Sequence, residues 1–334
     1  MPLIAAEEHF MIPEVAQAAG RFMAGPDALG SGWPEAAAAL EDGPREHAAA
    51  LLLELGEERI AAMDAAGIDR ALLLLSTVGN PQMLDAAEAT ALASLANDRL
   101  AEAIARHPDR LAGLACVAPQ DADAAAIELE RAVRTLGLRG LVINSHTQGV
   151  YLDDERFKPL LEAADALAVP IYIHPGLLPS GAVDPYLDYG LMAAMWGFAA
   201  DASLQALRLI MSGALDRHPN LTVVLGHLGE HIPFSLPRID IHHRETKRNS
   251  APNLERLPSD YFRERFFVTT SGMNHAPRSI RFCIEELGAD RVLFAADHPF
   301  ERGEREVEGI RAAGLADDEW ELVAHANAER VFAL

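Results

Sequence analysis

Six residues, spread over the whole chain, have the side chains needed for metal and proton chemistry. Glu7 and His9 stand in "LIAAEEHF", His174 in "VPIYIHPG", His227 and Glu230 in "LTVVLGHLGE", and Asp297 in "RVLFAADHPF". Each follows a short apolar run with the character of a strand. Glu7, His9, His174 and Asp297 together offer two imidazoles and two carboxylates, a set suited to Zn2+ or Mn2+. Side chains alternate along a strand, so Glu7 and His9 share one side while Glu8 faces the other. Glu8 is therefore expected behind the site or at the surface. A single histidine at a strand end is more often a hydrogen-bonded structural residue than a ligand. The stronger signal is four fitting residue types at strand ends.

For these residues to meet, the strands must be parallel, with their carboxyl ends on one face. Eight apolar runs meet the need: 3–6, 71–75, 114–117, 140–143, 170–173, 222–225, 266–269 and 291–294. Most of the intervals between them hold amphipathic helices, such as "DADAAAIELERAVRTLG", with apolar residues three and four apart. Eight such alternations predict a single (β/α)8 barrel domain over residues 1–334, with a doubly wound open sheet as the competitor. Loop insertions are expected after strand one (residues 11–55) and strand five (residues 176–200). Both would lie at the face where barrel loops build sites.

Composition narrows the partners. The chain has 334 residues and a net charge of −22, which disfavours nucleic acid and anionic membrane surfaces. An anionic ligand would need a local arginine or a metal. The two cysteines, Cys116 and Cys283, sit in apolar stretches and read as buried thiols. The start does not resemble a signal peptide, and no apolar run reaches the ~18 residues of a spanning helix, so a cytoplasmic location is expected. The apolar insertion "PYLDYGLMAAMWGF" holds Tyr186, Tyr189, Met192, Met195 and Trp196. It predicts a homodimer or homotetramer, the competing reading being a lid on its own barrel. His146 and His275, after strands four and seven, are candidates to reach substrate. His107 and His218 each precede proline and read as helix-end residues.

The chain resembles the amidohydrolase superfamily, and within it the metal-dependent, non-oxidative aromatic-acid decarboxylases such as the γ-resorcylate and 2,3-dihydroxybenzoate enzymes. The resemblance spans nearly all of the sequence and rests on "EEHF", "INSHTQG", "YIHPG", "WGFAADASLQALRLIMSGALDRHPNLTVVLGHLGEHIPF", "LFAADHPFE" and "HANAERVF". It implies one divalent metal on Glu7, His9, His174 and Asp297, with Asp297 also the proton donor to the ring. It places His227 and Glu230 beside the substrate, coupled in proton handling, and Phe300 against the aromatic ring. Asn144 is a further candidate for substrate binding, and Arg238 or Arg244 could hold a carboxylate across a subunit contact. The implied substrate is a small aromatic acid. No dinucleotide fingerprint and no strand-end lysine is found, so no organic cofactor is expected. The alternative is a metal-dependent hydrolase of a lactone or amide. Glu-x-His on strand one and Asn144 in place of a lysine on strand four disfavour a two-metal version of it. Two positions depart from the family pattern, Gln205 and His298, and both bear on the exact substrate.

Overall fold

The computed structural model describes residues 1–25, 47–76, 81–187, 189–245 and 254–334. Nine strands run through it: β1 (Ile4–Phe10), β2 (Arg70–Leu75), β3 (Leu111–Gly113), β4 (Ala115–Cys116), β5 (Leu141–Asn144), β6 (Ile171–His174), β7 (Val223–Leu225), β8 (Phe266–Thr269) and β9 (Val292–Leu293). Every recorded pairing is between sequence neighbours and parallel. β3 and β4 are two pieces of one stave. At their junction Leu114 N–H donates to the Leu73 carbonyl (2.9 Å), while Ala115 N–H donates to that of Gly140 (2.8 Å). The eight staves close into a barrel through Ala6 N–H to Phe294 O (2.9 Å) and Asp297 N–H to Glu7 O (3.0 Å). The fold is thus the expected (β/α)8 barrel.

The strands form where aliphatic residues run without interruption, because both faces of a parallel barrel are buried. "RALLLL" in β2 has its five apolar residues buried, and "LVIN" in β5 is buried throughout. Gly140 opens β5 because nothing larger fits: a Cβ there would lie 2.7 Å from the Pro170 carbonyl oxygen. Helices pack around the staves. Ala86–Arg106 starts at Asp85, whose carboxylate accepts from Ala87 N–H and Glu88 N–H. His107 and His218 do sit at helix C-caps, and both cysteines are buried free thiols.

One strand differs from expectation in a way that matters. β1 does not end at Ala6 but continues through Glu7, Glu8 and His9 to Phe10, all buried. Its register with β2 jumps between Ala5 (opposite Ala71) and Glu8 (opposite Leu73), so one extra residue is accommodated as a bulge. Bulges of this kind re-aim side chains beside active sites. Of the two expected insertions, that after β1 begins with a helix, Pro13–Met23, and residues 26–46 lie outside the described part. That after β6 includes a short helix, Asp184–Leu187, and runs up to the helix Gly197–Met211.

The stretch after β9 is held from outside the barrel. Asn274 donates one amide N–H to the Ala295 carbonyl (2.8 Å) and the other to Glu306 Oε2 (2.9 Å) on the helix Gly303–Arg311. Glu306 is buried, and burial raises its carboxyl above the ordinary 4.5. The folded protein thus holds this proton at a pH where the unfolded chain has lost it. The contribution of Glu306 to stability must therefore fall as pH rises from 4.5 through the folded value. Glu306→Gln keeps the shape and removes the titration. Its melting temperature should gain on that of the unsubstituted protein between pH 4 and 8 in thermal scans; a constant gap would contradict this.

Candidate active site

β1, β6 and the turn after β9 bring the expected ligands together. Glu7, His9 and His174 present ligand atoms all within 4.8 Å of one another. His174 Nε2 lies 3.6 Å from Glu7 Oε1, and His9 Nε2 lies 3.0 Å from Asp297 Oδ1. The atoms fit an ion. Glu7 Oε1 and His9 Nδ1 are buried with no hydrogen-bond partner, and His9 Nε2 meets Asp297 Oδ1 without hydrogen-bond geometry, an arrangement native proteins avoid unless something else satisfies the groups. Glu7 Oε2, by contrast, accepts from the Tyr172 hydroxyl and from Thr269 Oγ1 (2.8 Å). The carboxylate is thus held by one oxygen and open at the other. Tyr172 and Thr269 were not foreseen; their signal is a polar residue interrupting the apolar runs "IYIH" and "FFVTT".

The protonation states suit metal binding, which needs neutral imidazoles and an ionised carboxylate. Burial, with nearby charges, lowers His9 to about 4 and His174 to about 3. His174 Nδ1 lies 2.9 Å from the Pro175 carbonyl. It must donate there, which leaves Nε2 as the lone-pair nitrogen. Burial alone would raise Glu7; the neighbouring imidazoles, His227 foremost, and the Tyr172 hydroxyl hold it below its usual value.

His227 and Glu230 follow β7 on an unusual piece of backbone. His227, Leu228, Gly229, Glu230 and His231 have φ of 49°, 55°, 79°, 50° and 67°, forming one left-handed turn. Left-handed residues other than glycine cost about 1–2 kcal/mol each and cluster where function demands them. The turn sets residues 227 and 230 face to face, with His227 Nδ1 2.7 Å from Glu230 Oε1. Burial opposes a charge on His227. The Glu230 carboxylate, with Glu7 and Asp297 beyond it, outweighs that and lifts the imidazole to about 10. His227 is therefore an imidazolium at neutral pH, with Nε2–H as its remaining donor.

Two further candidates lie at this site. The Phe300 ring stands edge-on to His9, with centroids 5.2 Å apart. Asn144 ends β5 opposite His174, and its Oδ1 is buried without a partner. A cavity of about 790 Å³ adjoins it, lined among others by Arg21, Gln82, Asn144, His146, Gly176 and Leu178.

Other expectations fall elsewhere. Arg238 and Arg244 are exposed on the helix Ile232–Glu245 and line neither described cavity, so a role in binding would require a neighbouring subunit. His146 borders the cavity but has both nitrogens engaged, with Leu177 O at 2.7 Å and Gly149 N–H at 2.9 Å, stapling two loops together. His275 instead faces Glu306, at 3.5 Å. Gln205 is buried and accepts from Leu152 N–H (2.8 Å). His298 borders a smaller cavity on the other side of β1. Neither departure from the family pattern lines the larger cavity.

A family model described as amidohydrolase matches residues 47–334. Gamma-resorcylate decarboxylase of Rhizobium sp. (strain MTP-10005) is 35% identical, over 99% of this chain and 98% of its own. The crystal structure of 5-carboxyvanillate decarboxylase from Sphingomonas paucimobilis superposes with a TM-score of 0.93 at 40% identity, covering 100% and 99% of the two chains. That of the corresponding enzyme from Novosphingobium aromaticivorans DSM 12444, with bound manganese and 3-methoxy-4-hydroxy-5-nitrobenzoic acid, gives 0.96 at 37% identity, covering 100% and 97%.

Removing one candidate ligand tests the cluster. His174→Ala should lose most of its divalent metal, measured by elemental analysis after gel filtration, while keeping its fold by circular dichroism. Full metal occupancy with unchanged activity would remove His174 from the ligand set.

Proposed function

The chain belongs to the amidohydrolase family, and from that premise we propose that it is a metal-dependent carboxy-lyase. It removes CO2, without oxidation, from a hydroxylated aromatic acid. The observation that carries the reading is the one buried ligand cluster among the described residues, beside the hydrogen-bonded His227–Glu230 pair, with Asn144 where a second metal would need a lysine. All three relatives above are decarboxylases of aromatic acids, and one holds manganese.

Glu7, His9, His174 and Asp297 would hold one divalent ion, Zn2+ or Mn2+, which when bound supplies Lewis acidity and a grip on the carboxylate and its ortho oxygen. The manganese of the relative supports Mn2+. No organic cofactor is required. Asp297, once it has taken a proton from solvent, delivers it to the ring carbon that bears the carboxylate, which forms its new C–H bond with an electron pair pushed in from the phenolic oxygen. The bond to the carboxylate then breaks, its electron pair restores the aromatic ring, and CO2 departs. His227, held as an imidazolium by Glu230, donates Nε2–H to the oxygen on which charge shifts. Phe300 packs the ring, and Asn144 Oδ1 accepts from a substrate hydroxyl. Hydrolysis of a lactone or amide by the same ligand set is the alternative, and no separate observation favours it.

One catalytic domain, located in the cytoplasm, is the simplest organisation; no helix among the described residues is long and apolar enough to cross a membrane. We also propose self-association to a dimer or tetramer. Tyr189 is 80% exposed and Phe234 79%, with Met195, Trp196 and Ile241 also exposed, the kind of surface that marks an interface. Light scattering at micromolar concentration should show a dimer or larger; a strict monomer would refute it.

The deciding experiment is a panel of ortho-hydroxybenzoates assayed for CO2 release in deuterated water. One member should lose CO2 and gain deuterium only at the carbon that carried the carboxylate. In the same assay His227→Asn should be slower by about 10²-fold or more, the scale of a lost proton-handling group. Consumption of a lactone with no CO2 from any hydroxybenzoate would favour the hydrolase.

A further inference from the structure

Glu8 faces away from the ligands, yet it is joined to them through the backbone. It is 3% exposed, so the surface position is ruled out. Its Oε1 accepts from Ala296 N–H (3.0 Å) and its Oε2 from His298 N–H (3.3 Å), the N–H groups of the two residues that flank Asp297. Asp297 N–H donates to the Glu7 carbonyl (3.0 Å), and His9 N–H to that of His298 (2.7 Å). Three consecutive residues of β1 therefore grip three consecutive residues centred on Asp297. Of these four bonds, only the two from Glu8 use a side chain. Asp297 sits at φ 63°, a conformation that residues other than glycine keep only when their surroundings impose it.

Arg59, also 3% exposed, stands behind this grip. Its Nη2 donates to the carbonyls of His9 (2.7 Å) and Leu51 (3.3 Å), and its Nε to that of Glu54 (2.8 Å). Burial raises the Glu8 carboxyl to about 8, a shift that the Ala296 N–H and then the Arg59 charge oppose without cancelling.

We propose that Glu8 is a positioning residue for Asp297: by holding the N–H groups of the residues on both sides of it, Glu8 keeps the Asp297 carboxylate at the ligand cluster, with Arg59 bracing β1 behind it through the His9 carbonyl. This rests on the reading of Asp297 as a metal ligand but not on the identity of the substrate. Losing a group that orients a ligand typically weakens metal binding or activity by about 10–100-fold.

The test is a double-mutant cycle read by Mn2+ affinity, measured on the full chain by competition with a chelator. Glu8→Gln should weaken Mn2+ binding by about 10–100-fold, because an amide offers one acceptor where two N–H groups need two. Added to Asp297→Ala it should change affinity by no more than about twofold, there being no carboxylate left to position. A purely structural role would not show that dependence. Glu128→Gln is the control: this buried acid bonds Asn97 and Arg131, so its loss should lower the melting temperature and leave Mn2+ affinity unchanged. Should Glu8→Gln fail to fold, Glu8→Asp keeps the carboxyl group, cannot span both N–H groups, and should show the same loss. Wild-type affinity in the Glu8 variant, or an equal loss in both backgrounds, would overturn the proposal. Unchanged affinity in Asp297→Ala alone would overturn the ligand reading on which it rests.

Discussion

Closure of the barrel between its first and last staves is the interaction on which the site depends. Glu7 and His9 come from the first ten residues and Asp297 from the last forty. Two backbone hydrogen bonds, Ala6 to Phe294 and Asp297 to Glu7, bring them side by side. The second of these bonds is made by the residue pair that supplies two of the candidate ligands. A parallel barrel cannot close until every intermediate stave is in register, so the ligand cluster is assembled by the fold as a whole. His174 on β6 and Thr269 on β8 then enter from the wall at fixed heights, the one as a candidate ligand and the other as a support for Glu7.

Electrostatics inside the barrel runs against that of the chain. A net charge of −22 would repel an aromatic carboxylate at long range. At the ligand cluster, however, the imidazolium of His227 and a bound cation would replace that field with a local positive one. Burial keeps His9 and His174 neutral, while Glu230 keeps His227 charged. Three histidines at or near strand ends thus serve two opposite purposes: burial prevails at His9 and His174, and the Glu230 carboxylate outweighs it at His227.

Much of this was legible before the fold was known. The eight apolar runs each overlap a strand, because continuous burial on both faces leaves a compositional trace; only β3, the first piece of the third stave, lies outside them. Glu7, His9, His174 and Asp297 stood out because charged or titratable residues at the ends of such runs need a reason. The parts that were not legible depend on contacts between distant residues. β1 was expected to stop at Ala6, since nothing local shows that two acids and an imidazole can be buried. Tyr172 and Thr269 meet Glu7 only after β6, β8 and β1 are placed in one wall. Gln205 looked like a change in the site, but its amide holds Leu152, a scaffold contact that no motif encodes. Arg238 and Arg244 were chosen for their charge, and in the described subunit that charge faces solvent.

The bulge in β1 has a consequence for anyone who would graft this ligand set onto another scaffold. Had β1 run straight from its pairing of Ala5 with Ala71, the rung opposite Leu74 would carry Glu8; the extra residue gives that rung to His9. Side chains alternate with a period of two, so a slip of one residue exchanges the inner and outer faces completely. The unit that must be transplanted is therefore the bulged segment together with the turn it grips. Copying only the four ligand side chains onto an ideal strand would set them one rung out of register with the neighbouring stave, and so with the rest of the wall that carries the other ligands.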